Sequence, residues 1–249
     1  MPGGDVIVDV GDGQLTGERT GDVRVFRGVR YAEAPVGALR FRPPEPVRPW
    51  AGIRQATSFA PICPQIPTGL ETMQGRMDLP MDEDCLALNI WTPACDGGHR
   101  PVLVWIHGGA WLNGCGAADW FDGSSFARLH DIVVVTIGYR LNVFGFLHLG
   151  LLASGETESG HVGMLDQIAA LGWVQDRIEA FGGDPRAVTI AGESAGAMSV
   201  GTLLAMPAAQ GLFHPGHVFK NGIVEHQDPF EVVKQGLQPP DINLRSGYR

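Results

Sequence analysis

The sequence predicts an α/β fold with a mostly parallel central sheet, and three observations carry that expectation. Four short runs, at residues 88–91, 101–106, 132–137 and 187–191, are β-branched and apolar on both faces, as strands covered by helices on either side are. Between the last two lies a segment, 162–181, in which Leu165, Ile168, Leu171, Val174, Ile178 and Phe181 recur at spacings of three and four. That spacing marks one face of a helix. Strand and helix then alternate along the chain, which builds a sheet by crossover connections.

The elements follow in order. Residues 5–32 alternate and turn repeatedly (Val-Ile-Val-Asp-Val, Gly-Asp-Gly, then Val23 to Tyr31), which reads as a small antiparallel β unit. Residues 33–82 are rich in Pro and irregular, and a connection of that length needs something to pin it. Gly182-Gly183 stops the long helix. A further helix follows Ser194, carries Met198, Val200, Leu203 and Leu204, and ends before Pro207. Residues 215–249 hold four acidic and four basic side chains with no sustained period, and Gly and Pro punctuate them. The expected organisation is therefore one α/β unit over 1–214 and an irregular, divergent tail over 215–249.

Composition narrows the function. Of the 249 residues 44% are hydrophobic and 18% charged, enough apolar surface for a sizeable core. The net charge is −9, with no Lys/Arg run, so nucleic acid is excluded as an expected partner. The longest uncharged stretch, 194–219, is cut by Pro207 and Pro215 and does not read as a membrane span. The opening Met-Pro-Gly-Gly-Asp has no signal-peptide pattern. A cytoplasmic location is the expectation, with secretion open if the N-terminus is incomplete. Cys63, Cys85, Cys95 and Cys115 show no C-x-x-C spacing, so no metal site is expected. No cofactor motif is present either.

The chemistry gathers at two glycine-rich turns. Gly192-Glu193-Ser194-Ala195-Gly196 is a G-x-S-x-G motif placed between an apolar strand and a helix, the setting of a nucleophile elbow. Small residues two before and two after the serine relieve the crowding of so sharp a turn. Read alone, the pentad is equally a plain βα turn with a capping serine. His107-Gly108-Gly109-Ala110-Trp111 follows a second buried strand, and such a turn can aim backbone N–H groups at a developing oxyanion. His107 within it reads as a loop-shaping residue rather than a general base.

With these motifs in hand, the sequence resembles the type-B carboxylesterase and cholinesterase-like family of α/β-hydrolases over about residues 20–214. The resemblance rests on Phe26-Arg-Gly-Val-Arg-Tyr-Ala-Glu-Ala-Pro-Val-Gly, Leu39-Arg-Phe-Arg-Pro-Pro, Glu83-Asp-Cys-Leu-Ala-Leu-Asn-Ile-Trp, Val104-Trp-Ile-His-Gly-Gly-Ala-Trp, Gly138-Tyr-Arg-Leu, Phe181-Gly-Gly-Asp-Pro and the elbow itself. It implies an α/β-hydrolase fold and hydrolysis of a small-molecule carboxylic ester. Ser194 is implied as acyl nucleophile, and the N–H groups of Gly109, Ala110 and Ala195 as the oxyanion hole. Gly108 and Glu193 would stand near the site, Glu193 as an electrostatic residue. A Cys63–Cys85 bridge and an Arg40–Glu83 ion pair are implied as well.

The sequence departs from the family in three places. Gly138 stands where Asn or Ser is usual, and His161 where Asn is usual. After His214 the resemblance stops, whereas family members continue to about twice this length and carry the triad acid and histidine there. His217 and His226 match neither context, and the switch reads as a truncated or frame-shifted version of a longer gene. Two other readings therefore stand beside the esterase: an impaired or inactive form lacking the triad acid and histidine, and a non-catalytic binding module. A missing neighbour for strand 187–191 would leave Val188, Ile190 and the following helix facing water, so self-association through an exposed sheet edge is expected.

Overall fold

In a computed structural model of the chain, which describes residues 6–67, 69, 79–150 and 159–214, alternate residues of one strand meet different layers. That strand is β7 (Val133–Ile137), in which Val133, Val135 and Ile137 join the main core while Val134 joins a second cluster. The period of two in a strand sends successive side chains to opposite faces. The main cluster holds Leu171, Val174 and Ile178 of the long helix and Val200 and Leu203 of the helix after the elbow; the second holds Ala127 of a short helix. The sheet is thus sandwiched between helices.

The antiparallel unit comprises β1 (Val6–Asp9), β2 (Gln14–Thr20) and β3 (Val23–Arg30), with β4 (Ile53–Gln55) running parallel to β2. The sheet continues through β5 (Ala87–Thr92), β7, β6 (Arg100–Ile106) and β8 (Gly183–Gly192) in that spatial order. Its parallel part is β7-β6-β8, whereas β5 is antiparallel to both β3 and β7. All six residues of β5 are buried, and burial on both faces carries no information about direction. A bulge interrupts β3 opposite β5, where the buried Asn89 accepts the Gly28 N–H and donates to Thr136 Oγ1.

The helices are α1 (Ser124–His130), α2 (Asn142–Phe146), α3 (Val162–Arg177) and α4 (Ala195–Ala205). A 3₁₀ turn, Ile178–Phe181, extends α3, and Gly182 at φ 78° ends it. The expected helix over 162–181 is therefore present, as α3 plus this turn. No described helix is long and apolar enough to cross a membrane. The reading of 215–249 as an irregular tail, with His217 and His226, lies outside the described residues.

Two expectations need correction. Val188 and Ile190 are fully buried, although β8 is the last strand in the described sheet. Side chains leave a strand perpendicular to the sheet, so α3 and α4 cover them and only the backbone edge lacks a strand beside it. Part of that edge is closed as well, because His214 pairs with Thr189 and donates its N–H to the Val188 carbonyl at 2.9 Å. Cys63 and Cys85 are free thiols rather than a bridge. Their long loop is closed at its neck by backbone hydrogen bonds instead: Ile62 accepts from Asp82 at 3.0 Å and donates to Pro80 at 2.9 Å. The implied Arg40–Glu83 pair is present and bidentate, both contacts being 2.5 Å.

Candidate active site

Ile106 and Gly192 pair at the final positions of the parallel strands β6 and β8. The chain therefore leaves both strands at one edge, and the turns after them lie side by side. Missing Cβ atoms permit the approach. A Cβ on Gly192 would fall 2.5 Å from the Gly196 carbonyl carbon, and one on Gly108 would fall 2.6 Å from the Glu193 carbonyl oxygen and 3.1 Å from Ser194 Cβ. Both G-x-S-x-G glycines and the second residue of the His-Gly-Gly turn are thus steric requirements of the same junction.

Ser194 has φ 54° and ψ −120° immediately before α4, a conformation that side-chain-bearing residues rarely adopt. Flanking hydrogen bonds hold it there: Gly196 N–H donates to the Glu193 carbonyl at 2.8 Å, and Met198 N–H to the Ser194 carbonyl at 3.0 Å. The serine side chain makes no hydrogen bond to the helix it precedes. Ser194 and Glu193 are exposed, while Ala195, Gly196 and Ala197 behind them are buried.

The facing loop is equally constrained. Gly109, Ala110 and Trp111 have φ of 109°, 55° and 56°, a left-handed run closed by Leu112 and Asn113 N–H groups donating to the Gly109 carbonyl at 2.9 and 3.1 Å. Among the described residues, the N–H groups of Gly109, Ala110 and Ala195 have no acceptor within the protein. Unpaired backbone donors at a strained loop and at a helix start suit an anionic oxygen.

The rest of the loop is pinned from several sides. Tyr139 Oη donates to the His107 carbonyl at 2.8 Å, and its ring stacks on the His107 ring at 4.5 Å. His107 is buried, with Nδ1 2.8 Å from the Gly108 carbonyl oxygen. Burial lowers its pKa to about 4, so the neutral ring shapes the loop. Trp111 Nε1 donates to Ser199 Oγ on α4 at 2.9 Å. Asn142 donates its backbone N–H to the Trp111 carbonyl at 2.6 Å and its amide to the Pro64 and Leu112 carbonyls. Gln65 bonds both backbone groups of Gly114.

Beneath this turn Arg140 and Asp166 form a buried pair, Nη2–Oδ1 2.6 Å and Nε–Oδ2 2.8 Å, and Asp166 also accepts the Arg140 backbone N–H. Burial pushes the Asp166 pKa up, opposed by the guanidinium.

Of the residues that the sequence singles out, Ser194, Gly108, Glu193, Gly109, Ala110 and Ala195 thus converge at one sheet edge. Cys63 and Cys85 lie behind it, buried and in hydrogen-bond contact; that contact and burial raise the Cys85 pKa. Cys63 Sγ also accepts the Leu141 N–H at 3.3 Å. His161 is exposed at the start of α3 and makes no side-chain cap. No described histidine hydrogen-bonds Ser194. Sequence reasoning misses Gln65, Tyr139, Asn142 and the Arg140–Asp166 pair as parts of the site, because single polar residues that reach distant backbone have no periodic signature.

Comparison with known proteins matches this architecture. The model of the carboxylesterase family matches residues 4–224, beginning earlier and ending later than the motifs alone. The chain is 47% identical over 208 residues to the para-nitrobenzyl esterase of Bacillus subtilis, covering 83% of this chain and 42% of that protein. It is 46% identical over 209 residues to the cocaine esterase of Homo sapiens, covering 81% and 36%. A crystal structure of the Geobacillus stearothermophilus carboxylesterase superposes with a TM-score of 0.78 at 53% identity, over 85% of this chain and 42% of that one. The chain spans about 40% of the length of the curated relatives it matches. With the family model matched over residues 4–224, the chain belongs to the carboxylesterase family.

Proposed function

We propose that this chain carries the nucleophile and oxyanion hole of a serine carboxylesterase acting on small carboxylic esters. Ser194 Oγ attacks the ester carbonyl, and the resulting oxyanion is received by the N–H groups of Gly109, Ala110 and Ala195. Collapse of the tetrahedral intermediate breaks the bond to the alkoxy oxygen, which takes up the proton given up by Ser194 Oγ and leaves as the alcohol. Water then attacks the Ser194 ester and returns the acid. Glu193, whose carboxylate packs over Gly108, adds negative charge beside the nucleophile. The observation that carries this reading is the strained, exposed Ser194 whose Cβ faces Gly108, the residue before Gly109 and Ala110, with the N–H groups of Gly109, Ala110 and Ala195 lacking an acceptor among the described residues.

A second reading is favoured by one observation: among the described residues, no histidine reaches Ser194 to take its proton. Such a serine is a weak nucleophile at neutral pH, which fits acylation much slower than a complete triad gives. The experiment is exposure to p-nitrophenyl butyrate and to a p-nitrophenyl phosphonate, with the modified residue located by mass spectrometry. Modification of Ser194, absent in Ser194→Ala, supports the esterase reading. Slow modification without turnover supports the impaired form, and no modification at Ser194 overturns both. For partners beyond the ester, the outer edge of β8 is the surface proposed for self-association.

A further inference from the structure

We infer that Gln65 is a positioning residue for the oxyanion loop, a role that rests on the esterase reading above. Its side-chain amide uses both ends on one backbone unit. Oε1 accepts the Gly114 N–H at 2.7 Å, and Nε2 donates to the Gly114 carbonyl at 3.0 Å and to the carbonyl of Cys63, two residues back, at 3.0 Å. A glutamine gripping both backbone groups of one residue in this way imitates a strand partner, supplying one donor and one acceptor where no strand runs.

The grip is transmitted by contact. Gly114 has φ 104°, and a Cβ there would fall 2.5 Å from the Gly108 carbonyl oxygen and 2.6 Å from His107 Nδ1. Gly108 in turn backs onto Glu193 and Ser194 Cβ. The turn that begins at Gly109 is closed by Asn113, the residue before Gly114, whose N–H donates to the Gly109 carbonyl. From Gln65 to Ser194 there is a continuous stack of backbone with no room for slack. Asn142 secures the same two segments from the other side through Pro64 and Leu112. Without Gln65, the Gly114 unit loses its acceptor and its donor together, and the left-handed run at 109–111 is released at one end.

Oxyanion donors act only when they are already in place, because small displacements weaken short charge-directed hydrogen bonds steeply. Gln65 touches neither substrate nor nucleophile, so its effect falls on the rate at saturation rather than on substrate affinity.

The test compares the full chain with Gln65→Leu and Gln65→Glu by two readouts. The first is amide hydrogen exchange. In Gln65→Leu the Gly114 amide is expected to lose protection by about tenfold or more, while Val104 and Ile190 in the central strands keep theirs. The second is the saturable rate of Ser194 phosphonylation by a p-nitrophenyl phosphonate. It is expected to fall by about 10- to 100-fold, below the ~10²–10³ seen when a donor is deleted outright, with the half-saturating concentration changed less than about twofold. Gln65→Glu adds a signature that a general loss of stability lacks. Its ionised carboxylate faces two carbonyl oxygens, whereas the neutral acid again offers one donor and one acceptor. Its rate relative to the parent chain should therefore recover as pH falls. Unchanged Gly114 protection in Gln65→Leu, or protection lost equally from β6 and β8, overturns the proposal. If the parent chain does not label at Ser194 while loop protection still depends on Gln65, the esterase reading fails and the positioning of the loop stands.

Discussion

Gly196 packs against the Ile106 carbonyl oxygen so closely that a Cβ on it would lie 2.0 Å from that oxygen. The contact joins the first turn of α4 to the end of β6, and it is backbone on both sides, so neither partner can rotate away. Gly196→Ala is expected to cost about 3 kcal/mol, the upper end for overpacking a well-filled site. Phosphonylation of Ser194 should be lost with it. Urea denaturation checks the first effect, as a lowered midpoint at unchanged slope. Parent-like stability would show that the two strands can part at this point.

His107 gives the fold a pH dependence of definite sign. Burial holds its pKa at about 4, against an ordinary value of 6.5. Below pH 6.5 the unfolded chain takes up a proton that the folded chain refuses until about pH 4. Stability from this group is therefore complete above pH 6.5 and falls as pH drops toward 4, by about 3 kcal/mol in all. His107→Gln should flatten that part of the profile, measured as denaturation midpoints from pH 7 to pH 4. An equal slope in parent and variant would place the titrating group elsewhere.

Arg140 and Asp166 are buried at the junction of the β7 turn with α3. Removing one partner strands the other's charge out of water, so Asp166→Asn is expected to cost about 3–5 kcal/mol. The double variant Arg140→Met/Asp166→Leu should recover most of that loss, because an apolar pair of similar volume carries no desolvation penalty. Thermal and chemical denaturation of the three chains measure this, and a double variant as weak as the single one would contradict it.

The outer edge of β8 makes association the expected behaviour in solution. Val188 and Ile190 are covered, and among the described residues this edge of the strand is met by His214 beside Thr189 and by the Gln175 amide on the Pro185 carbonyl rather than by a further strand. Unpaired strand backbone templates pairing with another chain. Light scattering after size-exclusion chromatography should show a mass that rises with concentration. One monomer mass across a hundredfold range of concentration would show the edge to be protected.

What the sequence made legible was local. The spacing of Leu171, Val174 and Ile178 announces α3, Gly182 marks its end, and the pentad around Ser194 marks the elbow. What it hid depends on partners far away in the chain. β5 reads like a parallel strand because its residues are buried on both faces, and only the identity of its neighbours makes it antiparallel. Gln65 and Gly114 are 49 residues apart, and Asn142 and Pro64 are 78 apart, separations at which no periodicity operates. Cys63 and Cys85 were rightly placed together but wrongly joined. Proximity follows from the loop they flank, whereas the neck at Ile62 already supplies the closure.

A serine placed ahead of a helix ordinarily caps it, contributing about 1 kcal/mol by accepting one of the first N–H groups. Ser194 withholds that service, so α4 begins one acceptor short. In the proposed reaction, the oxyanion of a tetrahedral species at Ser194 would supply an acceptor to the Ala195 N–H at that end. Under that proposal, reaction and helix completion would be a single thermodynamic event. A chain phosphonylated at Ser194 should melt at a higher temperature than the free chain, and amide protection should rise first in the opening turn of α4. On that proposal, the transient intermediate would serve, for its lifetime, as part of the secondary structure.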